Sequence, residues 1–194
     1  LEKDFVDGGQ GPGTAKDEPG GQHGLSTGTV IMSSEQTGEI VGIAPRAEIV
    51  PLRVTKPRGR IPAPILFGSG ARALRDALRY AVRQADCHVI SISLGWFANR
   101  SLHAAVREAE AANLIVCAAA GNYTPLVVWP AAYAETLAVG GCNAERDAWS
   151  GTARGRAVGV SGPAEDVWVA SFTESLEQTR WQSSGTSFAV ATVA

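Results

Sequence analysis

Val89-Ile90-Ser91-Ile92-Ser93-Leu94 is the run whose reading decides the fold, because of what stands on either side of it. Before it, Ala71 to Ala85 carries Leu74, Ala77, Leu78, Ala81 and Val82 at helical spacing, the apolar stripe of an amphipathic helix. The run itself is short, rich in β-branched residues and bounded by polar segments, so it reads as a strand. The pattern then repeats, with a helical stretch from Leu102 to Ala112 and a second apolar run, Leu114-Ile115-Val116-Cys117-Ala118. The second run is apolar throughout and the first is a compact, mostly apolar run, so strands alternating with helices and apolar on both faces are expected, as in parallel sheets built from helical crossovers. The fold class is therefore α/β, a mostly parallel central sheet with helices on both faces. A doubly wound sheet of this kind places its site at the carboxyl ends of the strands.

Outward from this unit the elements are plainer. Thr136 to Gly140, Ala157 to Val160 and Val167 to Ser171 are further strands, separated by Trp129-Pro130-Ala131 and Ser161-Gly162-Pro163 as punctuation. Towards the amino end, Ala47 to Val54 has the apolar content of a strand, made irregular or edge-like by Pro51. Residues 55–64 hold three prolines and three cations and read as an exposed, solvated loop. Residues 1–22 contain Gly8, Gly9, Gly11, Gly13, Gly20 and Gly21 with little periodicity and read as a loop arriving at His23. That glycine run follows no strand and opens no helix at dinucleotide-fingerprint spacing, so it is not a phosphate cradle.

Composition narrows the classes of function. With 194 residues, 45% of them apolar, the chain can bury the core of one domain. A net charge of −2 and a pI near 5.9 give no basic footprint for nucleic acid, and no apolar run approaches the roughly 18–20 residues of a membrane span. Cys87, Cys117 and Cys142 lie in apolar surroundings without metal-ligand spacing and read as small buried residues. Three cysteines cannot all pair, which argues mildly against a cross-linked secreted protein and leaves the compartment open.

Three further stretches carry candidate chemistry. His23-Gly24 opens a run of small and apolar residues, to Ser33, that reads as a buried helix; Ala118-Ala119-Ala120-Gly121-Asn122 ends an apolar strand; and Gly185-Thr186-Ser187 sets a hydroxyl where a loop becomes a helix. A helix start leaves backbone N–H groups unpaired in a positive field, which suits an oxyanion. Singly, each has an ordinary reading: a surface or capping histidine, a left-handed turn asparagine, a helix cap. Together, in this order, they resemble the subtilisin-like serine proteases, the subtilases (peptidase family S8).

The resemblance implies a catalytic domain over residues 1–194 that is incomplete at both ends. In it His23 takes the proton of the nucleophile Ser187, while the Asn122 side chain and the Ser187 N–H bind the oxyanion. Ser93-Leu94-Gly95 matches the segment that pairs with substrate backbone, and Ala119-Ala120-Gly121 the opposite wall of the first specificity pocket; the ordinary reading of both is a core strand end. The implied partner is a polypeptide, and Val128, near a position where relatives often have Gly at the pocket floor, makes that pocket shallow. Val41-Gly42-Ile43-Ala44-Pro45 also fits the family pattern. The family is mostly secreted; this chain shows no signal peptide.

Departures from the pattern are specific. Ala191 stands where the family usually has Pro in a first helical turn, and Leu25, Ser26 and Thr27 replace Thr-His-Val beside His23. The triad acid, which the family carries in Asp-Thr/Ser-Gly at a strand end some thirty residues before the His, has no counterpart here. Asp7 lies 16 positions before His23 and follows no apolar strand, so it is not the catalytic acid; Asp17 stands near the acidic position often seen just before the His. No cofactor is expected. Relatives often bind calcium after the His helix, but Glu35, Gln36 and Glu39 fall short of the roughly six to eight oxygens calcium takes. A pseudoprotease or interaction domain of the same fold is the rival reading. An α/β-hydrolase is disfavoured, since Ser187 lacks Gly-x-Ser-x-Gly and follows the His.

Overall fold

A computed structural model describes residues 1–17, 22–34, 40–55, 69–84, 86–172 and 178–194. In chain order the elements are β1 (Lys3–Asp4), β2 (Gly9–Gln10), α1 (His23–Met32), β3 (Leu52–Arg53), α2 (Ser69–Gln84), β4 (Val89–Ile92), α3 (Arg100–Ala111), β5 (Ile115–Ala119), β6 (Leu137–Cys142), β7 (Val158–Pro163), β8 (Val167–Phe172), β9 (Gln178–Ser183) and α4 (Thr186–Val193).

The centre is a four-stranded parallel sheet in the order β4-β5-β6-β7, so the α/β expectation holds. Alternate residues of β5 point to opposite faces. Val116 and Ala118 pack into a core with Leu74, Leu78, Leu102 and Val106 of α2 and α3, while Cys117 and Ala119 pack with Ala189 and Val190 of α4. Helices therefore cover both faces, and α1 joins α4 on the second through Val30 and Phe188. Asn99 starts α3 by accepting the N–H groups of Ser101 and Leu102, an ordinary side-chain cap.

Four readings needed revision. Residues 1–22 are not all loop, because β1 runs parallel to β3 and antiparallel to β2. Two ladder residues do not show as an apolar run, and Asp4 among them is buried against the guanidinium of Arg53 at 2.8 Å. The strand expected over Ala47–Val54 is only Leu52–Arg53. Ser161-Gly162-Pro163 is not punctuation but the end of β7, an edge strand where Pro163 is tolerated opposite Cys142. Finally β9, not among the expected strands, pairs antiparallel with β8 over six residues.

Candidate active site

The site is built at the start of α4. Gly185 is its N-cap, with no side-chain cap, so Thr186 and Ser187 are helical residues whose hydroxyls are available for other work. Thr186 turns toward the end of β5: its N–H and its O–H both donate to Asn122 Oδ1, at 2.8 and 2.7 Å, and its oxygen accepts the N–H of Gly121 at 3.2 Å. Since both Thr186 groups are donors, the acceptor end of the carboxamide must face them and Nδ2 is turned away. Gly185 makes room for that amide, because a Cβ there would stand 3.1 Å from Nδ2. Gly121 has φ +116°, a conformation that suits glycine, so the positive φ falls on Gly121 and the left-handed reading of Asn122 fails.

Ser187 is buried, and its N–H lies in the first turn of α4 without an intrahelical partner. Its hydroxyl lies 3.4 Å from the carbonyl oxygen of Ser93, and Ser93 returns a hydrogen bond from Oγ to the Ser187 carbonyl at 2.9 Å. The loop after β4 and the start of α4 are thus tied to each other.

His23 is the first residue of α1, half-buried, with its ring 6.4 Å from that of Phe188, the neighbour of Ser187. Burial pushes its pKa below the usual histidine value, and the nearby Asp17 carboxylate opposes the shift only in part. The imidazole is therefore neutral near pH 7, the form a base requires. Asp17 is engaged at the helix start, where Oδ2 accepts the Leu25 N–H at 2.6 Å. The unusual residues after His23 have their own partners: Ser26 is buried and bonds the Ala170 carbonyl at 3.4 Å, and Thr27 bonds back to the carbonyls of His23 and Gly24. With Thr29, which accepts the Ala170 N–H at 3.2 Å, Ser26 fastens α1 to β8.

The structure bonds Asn122 to Thr186 and Ser93 to the adjoining Ser187, and sets His23 on the adjacent helix, with no hydrogen bond between its ring and Ser187. Among the described residues no carboxylate bonds the imidazole. Asp4 and Asp7 both hold Arg53, each at 2.8 Å.

The two expected walls differ. No described residue hydrogen-bonds the N–H or C=O groups of Leu94 and Gly95. Ala119 and Ala120 are core residues, as the ordinary reading had it, and the Ala120 carbonyl already accepts the Val128 N–H at 2.9 Å. Between the walls lies the Val128 isopropyl group. A Cβ on Gly95 would run into it, and a Cβ on Gly121 would lie 3.2 and 3.3 Å from its two methyls.

The model of the subtilase family matches residues 2–194. The chain belongs to the subtilase family. It is 30% identical over 174 residues to an intracellular serine protease of Paenibacillus polymyxa, covering 85% of this chain and 50% of that one. It is 28% identical over 173 residues to the major intracellular serine protease of Bacillus subtilis (strain 168), with 85% and 51% covered. The chain thus spans about half the length of the curated relatives it matches. Among solved structures, prenylagaramide maturation protease PagA superposes with TM-score 0.77 at 23% identity, over 92% of this chain and 64% of that one. The self-cleaved protease domain of PatA gives 0.73 at 26%, over 88% and 63%.

Within this subtilase, Ala191 is fully buried in the second turn of α4, not the first, so its difference from proline bears on packing against Val30, Val169 and Phe188. Glu35, Gln36 and Glu39 lie outside the described residues. No described helix is long and apolar enough to cross a membrane. Thr186 was overlooked as a site residue, although a hydroxyl beside the candidate nucleophile, on a helix already started by Gly185, was its signal.

Proposed function

We propose that this domain hydrolyses peptide bonds by acyl transfer through Ser187. The observation that carries the reading is the fixed Asn122 carboxamide, whose acceptor end is consumed by Thr186 and whose donor end is free beside the N–H of Ser187. Two donors converging at a helix start suit a tetrahedral oxyanion, the charge that acyl transfer develops. His23, neutral and on the neighbouring helix, accepts the Ser187 proton as Oγ attacks the carbonyl and passes it to the leaving amine; the acyl-enzyme is then released by water along the same route in reverse. No hydrogen bond joins His23 to Ser187 in this structure, and catalytic hydrogen bonds of this kind often tighten only when substrate is bound.

The substrate is an extended polypeptide. It pairs with the backbone of Leu94 and Gly95, while Val128 restricts the first pocket to small or medium side chains. Among the described residues no carboxylate bonds the His23 imidazole. Asp4 and Asp7 both hold Arg53, and among the described residues β4 pairs with β5 alone. The test is release of new amino termini from casein by the product of the whole reading frame that encodes these residues. Activity lost in both Ser187→Ala and His23→Ala supports the proposal; activity unaffected by either refutes it, and none in the unaltered protein favours the pseudoprotease.

A further inference from the structure

Four arginines, Arg72, Arg75, Arg79 and Arg83, lie along α2 at intervals of three, four and four residues. At about 100° per residue these steps confine them to an arc of about 80°, so they form one stripe about 16 Å long. The opposite side of the helix fixes that orientation, since Ala71, Leu74, Ala77, Leu78 and Ala81 are buried in the core.

Among the described residues only part of this charge is neutralised by ion pairs. Arg75 closes on Asp76 and Arg79 on Glu108 of α3, with shortest distances of 2.8 and 2.7 Å. Arg72 and Arg83 are exposed and have no ion pair among the described residues. Beside Arg83 the surface opens into a cleft of about 330 Å³ lined by Lys3, Phe5, Asp76, Arg79, Tyr80 and Arg83. Phe5 and Tyr80 meet edge to face at 5.9 Å, and the Lys3 ammonium lies 5.2 and 4.9 Å from their ring centres. Lys3 is therefore held by π-faces while its N–H donors stay available.

We propose that this face is a docking surface for an extended acidic peptide segment of a partner protein. A stripe about 16 Å long matches about five residues of extended chain, and guanidinium forks suit carboxylates. Asp76 and Glu108, interleaved with the arginines, oppose the evenly charged backbone of a nucleic acid, as does the net charge of −2. The surface belongs to the layer of α2 and α3, on the other side of the sheet from α1 and α4, so a docked segment leaves His23 and Ser187 clear. It does not depend on the peptidase reading.

The test is fluorescence anisotropy on residues 1–194 with a labelled glutamate-rich peptide of about ten residues, its all-glutamine counterpart, and a single-stranded oligonucleotide of equal charge. At about 0.05 M salt the acidic peptide is expected to bind at least about tenfold tighter than either alternative. Arg72→Glu with Arg83→Glu should abolish that preference, whereas Arg154→Glu with Arg156→Glu, equally exposed elsewhere, should change it by less than about twofold. Should the α2 variant lose its helical circular dichroism, Lys3→Gln with Arg83→Gln replaces it, with an expected loss of at least about threefold. Equal binding of the glutamine peptide, tighter binding of the oligonucleotide, or an equal loss from the Arg154/Arg156 pair would overturn the proposal.

Discussion

Asn122 can serve as a donor because Thr186 occupies its acceptor, and the two residues make separable predictions. Asn122→Ala in the active protein should lower kcat by about 10²–10³ with KM little changed, since the donor acts on the transition state; steady-state kinetics showing mainly a KM effect would contradict the oxyanion role. For Val128, which fills the space between Gly95 and Gly121, the unaltered enzyme should prefer small or medium P1 residues. Val128→Gly should raise kcat/KM for Phe or Tyr at P1 by about tenfold or more. A peptide library in which the unaltered enzyme already favours Phe or Tyr would count against the shallow pocket. For His23, burial depresses the folded-state pKa, so the unfolded chain binds the proton first. Its contribution to stability is complete above a pH of about 6.5 and is lost as pH falls through that value toward the folded pKa. Melts of His23→Gln should therefore lose less stability than the parent chain between about pH 7 and pH 5, and parallel slopes would mean His23 is not desolvated. Residue types and their order made His23, Asn122 and Ser187 legible in the sequence. The work of Thr186 was not, because it depends on how closely two loops approach.

Among the elements, the loop after β4 is held to the loop after β5 at two places. Trp96 and Trp129 exchange backbone hydrogen bonds at 2.7 and 3.1 Å, and the Tyr133 hydroxyl both accepts from the Asn99 N–H and donates to its carbonyl, each at 2.9 Å. Burial pushes the Tyr133 pKa up, so the phenol stays protonated and able to donate. Tyr133→Phe should cost about 1–2 kcal/mol in chemical denaturation, the worth of two such bonds at a partly exposed backbone. In the active protein it should raise KM more than it lowers kcat, because it loosens the segment ending in Gly95; unchanged stability would show that the clamp carries no energy. The elements read correctly from sequence, α1 to α4 with β4, β5, β6 and β8, carry apolar runs or stripes. The hairpin strand β9, Gln-Thr-Arg-Trp-Gln-Ser, has mostly polar side chains, and Arg180 and Trp181 are exposed. It is a strand because its backbone pairs with β8, and backbone pairing leaves no apolar periodicity to read.

At the scale of the whole molecule, β4 is the strand that leads to Ser93 and, among the described residues, an edge of the sheet, with Ser91 exposed on it. The short sheet β2-β1-β3 is separate, although Phe5 and Leu52 pack on the same core as α2. An oriented imidazole and a paired outer edge of β4 are thus the two features that the described residues leave open. In subtilisin, loss of the triad acid alone costs about 3 × 10⁴ in kcat. The most direct measurement is the rate and position of labelling by a fluorophosphonate serine probe, read by peptide mass spectrometry on residues 1–194 and on the product of the whole reading frame. The account predicts a single adduct on Ser187 in the longer protein, absent in His23→Ala, and a rate about 10⁴-fold lower in residues 1–194 alone. Labelling of residues 1–194 at the full rate, an adduct on a different serine, or none in either protein would contradict it.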